Sequence, residues 1–226
     1  MKIGILQTGH SPEALFQNLG NYDQLFHKML SGYGFTFDTF AVVDGVFPDT
    51  IEAADGWLVT GSKHGAYESH SWIPPLEALI REIYAAKRPL VGVCFGHQII
   101  AQALGGRVEK FDKGWSVGRT EYEMNGETIA LNAWHQDQVV ERPKAARAIA
   151  GNTFCENAIL SYEGNAWTIQ AHPEFDSAFI DGLIQNRGKG VVPDPLLARA
   201  QDRLNKPTDN ARFAKEIASF FQSARP

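Results

Sequence analysis

Cysteine is scarce in this chain. Two thiols, Cys94 and Cys155, in 226 residues make no disulfide framework and point to a reduced, cytoplasmic setting. Long apolar runs are missing too. No stretch approaches the ~18 uninterrupted apolar residues of a membrane span, so no membrane partner is expected. Met1 to His10 carries one cation, Lys2, and only Ile3 to Leu6 as an apolar piece, too short for a secretory signal. There is no block of Lys or Arg and the net charge is −5, which argues against a nucleic-acid or membrane-surface binder. Gly4 and Gly9 make no phosphate-binding fingerprint. His64 and His70 match no common zinc spacing and read as part of a polar loop. No cofactor and no metal is therefore expected.

What is present is a globular composition, 44% hydrophobic and 21% charged. A chain of this length buries roughly 70% of its unfolded surface and holds a core without staples. Length favours a single domain over residues 1–226. Lys2–Gln7 reads as a buried strand. Tyr22, Leu25, Phe26, Met29 and Leu30 share one helical face. Phe35–Val43 is rich in β-formers, and Gly56–Thr60 is a strand stopped by Gly61. Pro74 and Pro75 sit where a helix starts, with Leu76, Leu79, Ile80 and Ile83 on its buried face. Leu90–Val93 is a wholly apolar strand, as expected when both sheet faces are covered. Ile99, Ile100, Ala103 and Leu104 make a further helical face, closed by Gly105-Gly106. This alternation predicts an α/β fold with a doubly wound, mostly parallel sheet. From about Val108 to Ala171 the pattern turns to short strands, a small antiparallel elaboration. A helical tail over about 188–226 follows, with Gly188-Lys189-Gly190 as a hinge.

Val91 to Gln98 carries the chemistry. It reads Gly92-x-Cys94-x-Gly96 between an apolar strand and a helix, a nucleophile elbow with sulfur as the nucleophile. The tight turn needs small residues two before and two after the nucleophile. It sets Cys94 at the sheet's C-terminal edge and at a helix N-terminus, whose partial positive charge favours thiolate. The N–H of Phe95 is then placed to meet a developing oxyanion. The plainer reading is a buried structural cysteine beside a glycine turn. A thiol nucleophile also needs a base and a group to orient it. His172 lies at the end of a strand, Trp167–Ala171. Pro173 bends the chain, and Glu174 is positioned to accept from one imidazole nitrogen while the other faces sulfur.

Together these segments resemble the class I, triad-type glutamine amidotransferases over roughly residues 1–180. Cys94-Phe95-Gly96-His97-Gln98 is similar to the family's Cys-x-Gly-x-Gln elbow. Gln170-Ala171-His172-Pro173-Glu174 is similar to its Gln-x-His-Pro-Glu motif, and Thr60-Gly61-Ser62 to its third-strand glycine loop. Ala133 to Asp137 is similar to its Ser-His-x-Asp segment, with Trp134 and Gln136 where many members carry Ser and Gly. The resemblance implies a flavodoxin-like fold and Cys94, His172 and Glu174 as a triad. It further implies Gly61 and Phe95 as the oxyanion hole, and Gln98, His135, Gln136 and Asp137 as substrate contacts.

The implied activity is cleavage of the γ-glutamyl amide of glutamine or a related small molecule through a thioester. An acceptor or synthetase subunit would take up the ammonia, or the chain would act alone as a γ-glutamyl peptidase. The apolar face of Phe213, Ile217, Phe220 and Phe221 would pack on the sheet in the autonomous case and dock a synthetase in the other. An ester hydrolase would place its acid before the histidine, whereas Glu174 follows His172. A non-catalytic or redox-sensing thiol of the same fold needs no proton shuttle. His97 either faces substrate or packs, and Cys155 reads as a buried inert thiol. A glutamine-like chloroketone is expected to label Cys94 alone; peptide mapping that finds the label on Cys155 would move the site.

Overall fold

The computed structural model describes residues 1–163 and 165–223. A nine-stranded mixed sheet runs through the centre. Its first half is built from β1 (Lys2–Leu6), β2 (Thr36–Phe40), β3 (Gly56–Val59), β4 (Leu90–Val93) and β11 (Ala166–Ile169). These lie in the order β2-β1-β3-β4-β11 and pair in parallel. Helices α2 (Tyr22–Met29), α3 (Ile73–Ala85) and α4 (Phe95–Ala103) join them, with α1 (Glu13–Leu19) before α2.

Strand alternation sends side chains to both faces. Leu6, Trp57, Val59 and Leu90 pack against Ile80 and Ile83 of α3 and Ile99 and Ile100 of α4. Ile3, Ile5, Leu58, Val91 and Val93 pack against Phe26 and Leu30 on the other side. Two covered faces make the fold a doubly wound α/β sheet, as the strand–helix alternation predicts.

Beyond β11 the sheet continues antiparallel through β10 (Ile159–Tyr162), β9 (Ala146–Gly151), β6 (Ser116–Met124) and β7 (Glu127–His135). Asn125 and Gly126, both at positive φ, form the tight turn between β6 and β7. A separate antiparallel pair joins β5 (Arg107–Lys110) to β8 (Asp137–Glu141). The expected elaboration is therefore four further strands of the main sheet plus this pair.

After β11 come α5 (Ser177–Leu183), a π-helical turn Ile184–Gly188, α6 (Asp194–Asp202) and α7 (Asn210–Ser223). Of the expected tail, residues 224–226 lie outside the described residues. On α7, Phe213, Ile217, Ala218 and Phe221 are buried in the same cluster as Ile3, Ile5 and Val91, with Phe220 packed at its edge. That apolar face is consumed by the fold and is not free to dock a second subunit. At the expected hinge Gly188 is buried against Leu197 and Trp134, while Lys189 and Gly190 are exposed. Among the described residues no helix is long and apolar enough to cross a membrane.

Phe221 is fully buried and meets the Phe35 ring edge-on at 5.9 Å. Phe221→Ala is expected to destabilise the fold by about 3–5 kcal/mol in urea unfolding. The exposed Phe16→Ala should shift it by about 0.5 kcal/mol or less.

Candidate functional site

The site lies where β3, β4 and β11 end. Cys94 follows β4 with φ 52° and ψ −104°, a strained conformation for a residue with a Cβ. Three backbone bonds hold it there. Cys94 N donates to Ile169 O at 2.8 Å, Gly96 N to Thr60 O at 3.0 Å, and Gln98 N to Cys94 O at 3.0 Å. A Cβ at position 92 would stand 2.5 Å from Gly96 O, and one at position 96 would collide with the Val59 backbone. Both positions of the elbow therefore require glycine. Phe95 opens α4, so its N–H is one of the helix's first-turn donors without an intrahelical acceptor.

Gly61 measures how closely the other parts converge. A Cβ there would lie 3.1 Å from His172 Cε1 and 3.7 Å from Cys94 Cβ. The Gly61 backbone thus borders thiol and imidazole together. Thr8 steadies this loop: its hydroxyl bonds Thr60 O at 2.9 Å and Gly61 O at 3.0 Å. His172 is held from β7, its N–H donating to Asn132 O at 2.8 Å, and its ring stacks on Phe175 at 3.9 Å. Glu174 Oε1 meets His172 Nδ1 at 2.7 Å, with both side chains about 95% or more buried (5% and 2% exposed).

Burial opposes an imidazolium at His172. The Glu174 carboxylate and the Cys94 sulfur outweigh it and raise His172 to about 10. The imidazole beside the thiol is therefore charged at neutral pH, poised as a proton donor.

The remaining expected residues divide. Gln98, His135, Gln136 and Asp137 all line one cleft of about 610 Å³ with Cys94 and His172. The Gln98 amide donates to Asp137 O at 2.9 Å and to Gln170 Oε1 at 3.1 Å. His135 Nδ1 faces Asp137 O at 3.2 Å, and burial holds His135 down to about 3, so it is neutral. Gln136 bonds Phe111 O at 3.2 Å. The Asp137 carboxyl is pushed up by burial while Tyr67 bonds it. His97 does not line the cleft. It is fully buried with Nδ1 at 2.8 Å from Thr168 Oγ1, so packing rather than substrate contact is its place. Cys155 is buried and its thiol is pushed up to about 12 by burial, as an inert thiol should be.

Sequence reasoning missed several cleft residues. Tyr22 read as part of an apolar helix face, yet it borders the cleft. Burial raises its hydroxyl well above the ordinary range, while Arg187 works the other way. Leu183, Asn186, Arg187, Lys189 and Val191, from the end of α5 and the segment after it, form a whole wall. A third omission is that His64 and His70 meet, with Glu68 between them.

Comparison with known proteins gives the family. Residues 37–185 match the model of the family described as glutamine amidotransferase class-I. The chain belongs to that family of enzymes. It is similar to gamma-glutamyl peptidase 2 of Arabidopsis thaliana, 28% identical over 99% of this chain and 97% of that protein. A glutamine amidotransferase-like protein of Schizosaccharomyces pombe is 33% identical over 72% of this chain and 70% of its own length. Among solved structures, a glutamine amidotransferase from Methylobacillus flagellatus superposes with a TM-score of 0.79 at 19% identity. It covers 100% of this chain and 95% of the other, a likeness of fold.

The raised His172 has a signed consequence. Its protonation contributes stability in full below pH 6.5, its ordinary value, and that contribution is lost as pH rises to about 10. Thermal midpoints of the wild type should fall over this window, and Glu174→Gln should flatten the fall. In the same variant the alkaline limb of the rate profile should move toward neutral pH, because the carboxylate that holds the proton is gone. An unmoved limb would mean that Glu174 does not set the imidazole's affinity.

Proposed function

We propose that this chain hydrolyses the γ-glutamyl amide bond of small γ-glutamyl compounds, with Cys94 as nucleophile, and needs no acceptor subunit. One observation carries the reading: thiol, imidazolium and a glycine backbone converge within one open cleft, with a buried carboxylate behind the imidazole.

The chemistry follows from that placement. Cys94 thiolate attacks the substrate's δ-carbonyl carbon, forming a C–S bond and pushing the carbonyl electrons onto oxygen. N–H groups of Phe95 and of the Gly61 loop take up that charge, where fixed dipoles outdo water. The oxyanion collapses, the C–N bond breaks, and His172 gives its Nε2 proton to the departing nitrogen. A γ-glutamyl thioester remains. Water then attacks the same carbon while His172 Nε2 takes its proton. A second collapse breaks the C–S bond and releases glutamate with the thiolate restored. Glu174 accepts from Nδ1–H throughout, which keeps Nε2 as the atom that exchanges protons. No cofactor enters these steps, and a reduced cytoplasmic thiol suits them.

Three features support a substrate larger than glutamine, released without a partner. At about 610 Å³ the cleft is in the range that holds drug-sized ligands. Lys63, Lys110, Arg187 and Lys189 border it, against Glu68 and Asp137, an excess of cations that suits a substrate bearing carboxylates. The α7 face that would have docked a synthetase is buried. Gln98, His135, Gln136 and Asp137 stand on the wall where the glutamyl end would lie.

A release assay over glutamine, γ-glutamyl dipeptides, γ-glutamyl amines and glutathione conjugates tests this. Dipeptides are expected to exceed glutamine in kcat/KM, and Cys94→Ala should lower turnover by on the order of 10⁴-fold or more while the fold persists. Full activity in Cys94→Ala would end the nucleophile assignment. Turnover that appears only when cell extract is added would end the claim of autonomy.

A further inference from the structure

Between β3 and α3 the chain makes a compact loop that carries His64, Glu68 and His70. Their side chains meet on one atom. His70 Nε2 lies 2.7 Å and His64 Nδ1 3.4 Å from the same carboxylate oxygen, Glu68 Oε2. One ligand atom from each of the three falls within 4.8 Å of the others.

Zinc binds imidazole nitrogen and carboxylate oxygen at about 2.0–2.2 Å, so tetrahedral ligand atoms stand roughly 3.4 Å apart. An ion entering here would replace the short Glu68–His70 contact with two bonds to itself, after small side-chain rotations. Two imidazoles and a carboxylate are a borderline-soft donor set, which suits zinc-class transition ions better than calcium or magnesium.

The loop is built in advance. Glu68 N donates to Gly65 O at 3.1 Å, His70 N to Glu68 O at 3.0 Å and Ile73 N to His70 O at 3.1 Å. At its start, His64 N donates to Ser62 Oγ at 3.2 Å, and that hydroxyl donates to Thr8 O at 2.7 Å. The aromatic neighbours add to this. The His64 and His70 rings stand edge-on at 4.2 Å, and buried Trp72 lies parallel to His70 and edge-on to His64. Both imidazoles therefore have few orientations to lose on binding an ion. Their side chains remain 21% and 35% exposed, and that of Glu68 43%, so an ion has an entry path and water for a fourth position.

We propose that His64, Glu68 and His70 form a binding site for one divalent transition-metal ion of the zinc class at the rim of the cleft. His64 and Glu68 line that cleft, so the bound ion borders the space a substrate enters. Trp72 also packs on Phe95 at 5.5 Å, which connects the site to the first turn of α4. The site stands independently of the hydrolytic reading, in which no metal takes part.

The experiment is equilibrium dialysis of chelator-stripped full-length protein against Zn²⁺, with Co²⁺ absorption as a second readout. Wild type and Cys94→Ala are each expected to retain one equivalent of zinc. Glu68→Gln, and separately the double variant His64→Ala/His70→Ala, should bind it about tenfold more weakly or worse. Co²⁺ should give four-coordinate bands without a thiolate charge-transfer band. Glu68→Gln is nearly isosteric on a solvent-facing loop, so it carries the test if the double variant fails to fold. Folded wild type that retains no zinc would overturn the proposal. So would zinc lost from Cys94→Ala but kept by Glu68→Gln, which would assign the ion to the thiol and His172.

Discussion

Three pieces of backbone touch at the Cys94 turn, and the site depends on that contact. β4 enters it, α4 leaves it, and the end of β3 passes beneath. Gly92 and Gly96 leave no side chain between them, so the Gly96 N–H reaches Thr60 O at 3.0 Å. The left-handed conformation of Cys94 costs on the order of 1–3 kcal/mol and persists only because its neighbours over-determine it. On one side is the β11 pairing through Ile169. On the other is the Thr8 and Thr60 network that also steadies the Gly61 loop. The parallel half of the sheet is thus the frame that keeps the Cys94 sulfur and the Phe95 and Gly61 backbone in one place.

A second constraint is electrostatic. His172 and Glu174 are an ion pair with almost no water around it. Such a pair is costly to bury, and removing one partner leaves the other uncompensated. The cost makes sense beside a thiol, because the Cys94 sulfur together with the Glu174 carboxylate favours the charged imidazole. His135, on β7 and lining the same cleft, shows the contrast. It is equally buried but faces only a carbonyl, and it stays neutral. Two histidines of one cleft are set to different protonation states, one charged and one neutral, by what stands behind them.

Much of this was legible in the residues. Apolar strands alternating with helical faces give the parallel half of the sheet directly, and Gly92-x-Cys94-x-Gly96 has one geometry that suits it. His172 and Glu174 are two residues apart, so their contact is local. What was hidden depends on long-range placement. Tyr22 occupies an apolar stripe, and only the arrival of Phe175 and Arg187 beside it makes it a cleft residue. His97 follows the elbow in sequence but lies on the far side of α4, where helical rotation takes it to Thr168. His64 and His70 fit no linear metal pattern because a turn, not a helix or hairpin, brings them together. The insertion of β11 between β4 and β10 is likewise invisible to any local pattern, yet it delivers His172 to Cys94.

The wall made by residues 183–191 has a consequence for how such a protein can change. It comes from a segment that supplies no reacting atom and contributes nothing to the Cys94 turn. Arg187, Asn186 and Lys189 are partly or well exposed, so exchanging them disturbs little packing. Selection acting on this segment can therefore alter which molecules enter while the bond-breaking apparatus stays under separate constraint. In such an arrangement substrate range drifts quickly and chemistry slowly, so descendants of one ancestor can share a reaction while differing in diet.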